Sequence, residues 1–510
     1  MRYYLPRIRR CNGIAILPGR TPTHFATSPR TAAAILTAAF ALNGCAAGTT
    51  TDIYADVVRG FFTKPSDATV SEEMLANTPF AYMEARLGAA AQSVLVLGWQ
   101  EHGEDKWVSA GNEMLILRHG RVVRTLGLPV DRQFTASAEP DPLAEVSDPA
   151  QLDGREWQST LDWNASHGAG FLAKARFRDH GMTSIELRPE DRRELRRIEE
   201  RVNIRPVGIE YSNWYYFDAR GQIVKSRQHV HPEQPPLTLV VVREAGPAAP
   251  VHAVETLAPE AALATDQVQV RLDDGAILAL PPGPQRLSEV VSRATADGDA
   301  WWPGLRLYRS SATAQDAAHA ARTRLIEQLE AFAEAAEQRD EGPRAQAARA
   351  LIDTLPPAPP GEMLPVVLDL DRLRVTPSLD VLLPPGEYRL LRASRPETLS
   401  LAGMAVHPGE RGYVPGRTVA AYLASEPLAA GAERDHVWLV QPEGTLRQVA
   451  VAAWNREFAL PLPGATVVVG LAGRAWRRGE LAPLNEALAA LYAAQPPAAA
   501  QAPAVAERSR

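Results

Sequence analysis

The chain is poor in cysteine, with only Cys11 and Cys45 in 510 residues. If a leader is removed before Cys45, Cys11 leaves with it, and the mature protein has no disulfide even in an oxidising compartment. Its domains must then be held by their cores alone. Long apolar runs are also missing. The longest, Thr31 to Leu42, falls short of the roughly 20 residues a spanning helix needs. There is no Gly-x-Ser-x-Gly elbow, no phosphate-cradling glycine loop and no helix-borne pair of zinc histidines. Formal charge is -6, and residues 1 to 44 carry six arginines and no acid, so the mature chain is near -12. No basic patch large enough to neutralise several phosphates stands out, which argues against nucleic acid as a partner. Nothing in the chain requires a cofactor.

The short apolar run follows Arg30 and ends in Leu42-Asn43-Gly44-Cys45. A basic flank, a brief apolar stretch and small residues before a cut describe a secretory signal over residues 1–44. The last four residues resemble the lipobox of bacterial lipoproteins. That resemblance implies a diacylglyceryl group on the Cys45 thiol and an acylated amine after cleavage. Several acyl chains anchor a protein firmly, whereas one does so only marginally. Arg9-Arg10 admits a twin-arginine signal, but Pro18 and polar residues 20–30 separate the pair from the apolar run. Ala46, where an aspartate would imply inner-membrane retention, implies the outer membrane and its periplasmic face.

Length suggests about three domains. After a tether at 45–52 and a short helix over 53–64, Ser71 caps a second helix at Glu73-Met74-Leu75. From Gln92 the period is two. Strands are expected at 93–99, 106–117, 121–126, 156–164, 170–178, 208–218, 221–230 and 237–242, with His119-Gly120 as a tight turn. Such a series implies an antiparallel curved sheet or part-barrel over 53–243. A linker at 244–265, rich in Ala, Pro and Glu, marks a boundary. The rest repeats one order: hairpin, helix, returning strands. The first module covers 266–394 and is interrupted by a helical hairpin at 312–355. The second covers 395–473. Both close through a Pro-Gly turn, at Leu383-Pro-Pro-Gly and Leu462-Pro-Gly-Ala. Leu484, Leu488 and Leu491 form one stripe of an amphipathic helix at 481–494, before a disordered tail at 495–510. The fold class is α+β, mostly β, with two β-grasp domains after the N-terminal sheet.

Two sets of residues carry a family resemblance. Trp107, Gly120-Arg121-Val-Val-Arg-Thr125, Gly127-Leu128, Tyr215-Tyr-Phe-Asp218, Gly221 and Lys225-Ser-Arg-Gln228 resemble the YjbF/GfcB family of exopolysaccharide lipoproteins. Gly386-Glu-Tyr388, Arg395-Pro396, Gly403, Pro415-Gly416, Tyr422-Leu423, Trp438, Gly444, Trp454-Asn455 and Pro463-Gly464-Ala465 resemble the capsule-biosynthesis protein GfcC and its relative YjbG. The resemblance implies tandem β-grasp domains, a helical insertion, a terminal amphipathic helix, and a periplasmic part in capsule or exopolysaccharide export. The modules and last helix are also reminiscent of the exporter Wza, which makes Wza-like export proteins expected partners beside the polysaccharide. A short, alanine-rich helix followed by a tail does not fit a pore.

Catalysis has little support. His229 and His231 share one strand face and could hold a metal, but with no recognisable third ligand they read as a polar outward face. Asp369 and Asp371 alternate as paired glycosidase acids might, yet read as part of an ordinary half-exposed strand. Sugar binding needs flat aromatic faces beside polar forks. Trp301-Trp302, Tyr388, Tyr413, Trp438 and Trp454 supply rings, and Arg392 and Arg395 supply forks that can grip a carboxylate with two bonds. Arg395, at the junction of the modules, is the foremost candidate, with Arg392, Tyr388, Trp438 and Trp454 beside it. The expected protein is a non-enzymatic outer-membrane lipoprotein binding polysaccharide or export partners. The alternatives are a polymer-trimming enzyme and a purely structural adaptor.

Overall fold

The computed structural model describes residues 66–497, apart from 165–166, 206, 245, 247–255, 258–265, 299–300 and 474–477. Cys45, the signal, the helix expected at 53–64 and the tail beyond 497 lie outside the described residues.

A short helix α1 (Glu72–Asn77) opens the described chain, its first turn capped by the Ser71 hydroxyl, which accepts from Met74 N at 3.1 Å. Twelve strands follow: β1 (Tyr82–Leu87), β2 (Ser93–Glu101), β3 (Glu104–Ser109), β4 (Met114–Arg118), β5 (Arg121–Leu126), β6 (Arg132–Ala136), β7 (Glu156–Trp163), β8 (Phe171–Arg188), β9 (Asp191–Arg205), β10 (Ile209–Phe217), β11 (Ile223–Gln228) and β12 (Leu237–Arg243). They form one antiparallel sheet in the order β5-β4-β3-β2-β1-β12-β11-β10-β9-β8-β7-β6. Every strand pairs with its sequence neighbours except β5 with β6, and β1 pairs with β12, the first strand of the sheet with the last, so β5 and β6 are left as the two edges. Side chains stitch that seam. Thr135 Oγ1 donates to Val123 O at 2.9 Å, Arg132 Nη1 to Val122 O at 2.9 Å, and Arg132 N to Thr125 Oγ1 at 3.0 Å. The result is a nearly closed barrel.

Alternation explains which face is inside. Phe171, Ala173, Ala175 and Phe177 of β8 are buried, while Lys174, Arg176 and Arg178 between them are exposed. The expected turn at His119-Gly120 has φ of 51° and 77°, the left-handed pair that two-residue hairpins need. A Cβ on Gly120 would also lie 2.7 Å from Ile223 Cδ1. The stretch read as one strand over 106–117 is two, β3 and β4, because Ala110 to Glu113 turn the chain. Strands β1, β6 and β9 were not expected. β9 is hidden by its charged outward residues and by Arg-Arg doublets that blur the two-residue period.

The next sheet runs β13-β15-β14-β20-β17-β18. Its parts in chain order are β13 (Thr256–Leu257), β14 (Val268–Arg271), β15 (Ile277–Leu278), β16 (Gln285–Arg286), α2 (Leu287–Ala294), β17 (Arg306–Arg309), α3 (Ala312–Glu337), α4 (Gly342–Asp353), β18 (Glu362–Met363), α5 (Leu370–Val375), β19 (Leu382–Leu383) and β20 (Gly386–Leu391). β16 and β19 form a separate small pair. Two residues of the expected linker, Thr256 and Leu257, join this sheet as an edge strand against β15. Helix α2 buries Leu287, Val290, Val291 and Ala294 against it.

The last sheet, β22-β21-β25-β23-β24, is built from β21 (Thr398–Gly403), β22 (Gly409–Gly412), β23 (His436–Val440), β24 (Leu446–Ala450) and β25 (Thr466–Val469), with helices α6 (Val419–Leu423) and α7 (Arg478–Ala493). In each sheet one interior strand from early in the module, β14 or β21, runs parallel to the last, β20 or β25, so the two modules share this element of topology. Gly403 is required where β21 meets β25, since a Cβ there would lie 2.1 Å from Val469 O.

The helical hairpin α3–α4 leaves the first module between β17 and β18, yet its apolar stripe serves the second. Leu325, Leu329 and Leu351 join Leu399, Leu401, Val437, Leu439 and Val467 in one core with Leu484, Leu488 and Leu491 of α7. The terminal helix therefore covers that core rather than presenting its apolar stripe to solvent. Tyr308 Oη donates to Ala494 O at 2.7 Å and ties its end to the first module.

Candidate functional site at the junction of barrel and modules

Opposite charges converge where the barrel meets the first module. Lys106 on β3, Arg124 on β5 and Glu101 on β2 face Asp369, Asp371 and Arg374, which begin and line α5. Lys106 Nζ lies 2.7 Å from Glu101 and 2.6 Å from Asp371. Arg124 holds Asp371 at 2.6 Å and also pairs with Asp369. Arg374 grips Glu101 at 2.6 and 3.0 Å, its guanidinium 4.7 Å from the Trp99 ring. Three positive and three negative groups balance. Burial opposes ionisation of Glu101, but hydrogen bonds from Arg374 and the charge of Lys106 outweigh it and hold the carboxyl at about 2. Burial is likewise overcome at Asp371, which Arg124 and Lys106 draw downward.

These positions correct the expected strand. Asp369 and Asp371 are buried, at 1% and 4% exposure. Asp369 caps α5, accepting from Arg372 N at 3.4 Å. Spacing of two fits a strand, but it also fits an N-cap and the second residue of a helix.

Beside this network lies a cleft of about 610 Å³ lined by residues of the barrel and the first module. His102, His119 and Phe134 form one wall, and Trp301, Trp302 and Leu305 the other. Trp302 is half-buried, with the Arg124 guanidinium 5.7 Å from its ring. His102 Nε2 lies 3.0 Å from Ala296 O and pins the rim. An aromatic wall beside fixed charges can hold a sugar ring. Glu101 and Asp371, which line it, are paired and drawn downward by their cationic neighbours, so they are poorly placed to donate a proton.

The five expected ligand residues are not gathered in one place. Arg395 donates from Nε and Nη2 to Asp162 of β7 at 2.7 and 2.8 Å, so its fork already holds a carboxylate from the barrel. Arg392 is shared among Asp273, Asp297 and Asp274 at 2.8, 3.0 and 3.3 Å. Tyr388 is buried, its hydroxyl donating to Pro384 O at 2.9 Å. Trp438 packs half-buried on the second module's core. Trp454 alone among the five is open to solvent, at 72% exposure, near Phe458 at 75%. Tyr413 bridges the barrel and the second module by donating to Ala169 O at 3.2 Å and Pro461 O at 3.3 Å, and burial pushes its phenol well up.

His229 and His231 are not a polar outward face. They follow the end of β11. His231 is buried with its ring 4.7 Å from Trp163 and 5.1 Å from His167, and burial, aided by the nearby His167 and Arg132 charges, lowers it to about 4.

Inside the barrel, Arg121 donates to Glu200 at 2.7 and 2.9 Å and to Asp141 at 2.5 and 3.1 Å, with the Trp157 ring 4.2 Å from its guanidinium. Tyr215 Oη and Asn213 Nδ2 also donate to Glu200, at 3.0 and 2.9 Å. Gln228 accepts from Val122 N at 3.0 Å and donates to Gly120 O at 2.8 Å. The resemblance set Gly120-Arg121, Tyr215 and Gln228 is thus one buried polar network, with a cavity of about 20 Å³ beside it.

Comparison with known proteins follows the same division. Residues 55–242 match the family of the group 4 capsule polysaccharide lipoprotein gfcB, YjbF. Residues 264–395 and 407–497 match the N-terminal and C-terminal parts of the capsule biosynthesis GfcC family. The uncharacterized protein YjbG of Escherichia coli K12 is 33% identical over 198 residues, 38% of this chain and 76% of its own. The chain belongs to the capsule-biosynthesis GfcC family through its two modules, which follow a YjbF-like barrel. The YjbF-like barrel is 27% identical over 179 residues to the uncharacterized lipoprotein YjbF of the same organism, covering 34% of this chain and 81% of that one. The lipoprotein GfcB is also 27% identical over 177 residues, covering 34% and 80%. Among solved structures, the hypothetical lipoprotein YmcC of E. coli aligns with 40% of this chain and 100% of its own, at 21% identity and a TM-score of 0.32. Among the described residues no helix is long and apolar enough to cross a membrane.

Proposed function

We propose that this protein is a non-enzymatic lipoprotein of capsule or exopolysaccharide export. It is lipidated at Cys45, held at the periplasmic face of the outer membrane, and contacts polymer and Wza-like export proteins through its two GfcC-like modules, which we read as β-grasp units. One observation carries the reading. The YjbF-like barrel and the GfcC-like modules are docked along a charged junction, and that junction frames an aromatic cleft.

The state of the acids supports a binding rather than a catalytic role. A glycosidase needs one carboxyl kept protonated near neutral pH and another kept charged. Glu101 is held at about 2, and Asp371 is drawn downward by Arg124 and Lys106 against its burial.

The test is genetic and biochemical. Deleting the gene should lower surface polysaccharide, and a Trp302→Ala variant should complement poorly while staying abundant and lipidated. Incubation of the purified mature protein with native polysaccharide should leave chain length and substitution unchanged. Normal polysaccharide in the deletion strain, or shortened chains in the tube, would defeat the reading.

A further inference from the structure

The outer surface of the barrel carries a charge pattern opposite to that of the whole chain. Ten basic and seven acidic side chains lie between Phe171 and Arg205 in a protein of net charge -6. The pleat sorts them. Lys174, Arg176 and Arg178 all point outward from β8, about 7 Å apart at twice the strand rise. On β9, Arg201 and Arg205 are exposed on the same side. Register places Arg176 directly opposite Arg201, Lys174 opposite Asn203 and Arg178 opposite Glu199. The rows continue through Ser212 and Trp214 of β10 to exposed Arg227 of β11.

Like charges directly opposite in a sheet are destabilising, and acids here relieve them only in part. Glu199 is shared among Arg201 at 3.6 Å, His180 at 3.0 Å and Ser212 at 2.7 Å. Glu156 is the neighbour of Arg176 on β7, and Glu210 accepts from Asn203. Among the described residues Lys174, Arg176, Arg178, Arg205 and Arg227 have no ion-pair partner. A flat ring completes the face. Trp214 is fixed between Arg197, 4.9 Å from the ring centre, and His180 at 5.2 Å. Arg197 Nε is buried and donates to nothing among the described residues.

We propose that this face, from β8 to β11, binds a strand of acidic polysaccharide. Guanidinium forks spaced along a strand suit carboxylates repeated along a chain, and an aromatic ring among them suits the apolar face of a sugar. The occupant is a polymer rather than a bilayer because the face is convex: a flat membrane would touch it along a line, whereas a flexible chain can follow the curve. The inference rests on the reading that the protein serves surface polysaccharide, and it adds the chemical class of the polymer and a binding face distinct from the cleft.

The experiment uses the mature chain immobilised and exposed to alginate, a polyuronate, with neutral dextran and anionic phosphatidylglycerol vesicles as the other arms. Alginate should bind, more weakly as salt rises from about 50 to about 200 mM, and dextran should not. The triple variant Arg176→Ser, Arg178→Ser, Arg201→Ser should lose at least about tenfold in alginate affinity. Its melting temperature should not fall, since the change removes like-charge repulsion. Arg349→Ser, which removes an exposed arginine of α4 outside this face, should bind alginate as the native chain does. Equal alginate binding by the triple variant, no binding by the native chain, or retention of vesicles but not alginate would each overturn the proposal. Polysaccharide output in the deletion strain is read separately, so loss of the export role and loss of this face are told apart.

Discussion

Arg395 and Asp162 form a two-bond clamp, at 2.7 and 2.8 Å, between the start of the second module and strand β7 of the barrel. The pair is 15% and 8% exposed at its side chains. Asp162 also accepts from Gly170 N at 2.7 Å, which fixes the carboxylate before the arginine arrives. Arg395→Ala should therefore cost about 2–5 kcal/mol, mostly from the stranded carboxylate. In calorimetry the barrel and modules should then melt separately, and the exchange Asp162→Arg with Arg395→Asp should regain part of the loss.

Leu488 of α7 is fully buried in the core that α3 and α4 also cover. Leu488→Ala should lower unfolding free energy by about 2–5 kcal/mol, measured by urea titration. A change within about 0.5 kcal/mol would mean that the helix does not cover that core.

His231 is lowered to about 4 by burial, with His167 and Arg132 adding to it, against about 6.5 in an unfolded chain. Protonation favours the unfolded state, so this contribution is full above pH 6.5 and is lost as pH falls toward 4. The urea midpoint should fall over that window, and His231→Phe should flatten the fall. His229, also lowered by burial, leaves a residual slope.

Arg121 is buried between Glu200 and Asp141. Arg121→Met should cost about 3–5 kcal/mol because it strands buried carboxylates, and adding Glu200→Gln should return part of it. Chemical denaturation of the two variants checks both steps.

The sequence made the mostly β fold, the helices within 312–355 and the leucine stripe of the terminal helix legible, because alternation and helical spacing are local signals. Strand β9 was not, since Asp191-Arg-Arg-Glu offers charge before it offers a period. Strand β1 was missed for a different reason: Tyr82 to Ala85 are all buried, so they show no alternation. At the candidate site, Arg395 stood out as a junction residue, but its partner lies 233 positions away and no spacing rule links them. The basic row on β8 was overlooked because Lys174, Arg176 and Arg178 are interleaved with Ala175 and Phe177, and only the pleat separates the two sets.

The hairpin α3–α4 belongs by chain connection to one module and by packing to the other. Evolution cannot readily shuffle either unit alone, since a first module borrowed from elsewhere would bring a lid shaped for a different neighbour. The two are expected to be inherited together, and chimeras that exchange both should fold where those exchanging one do not.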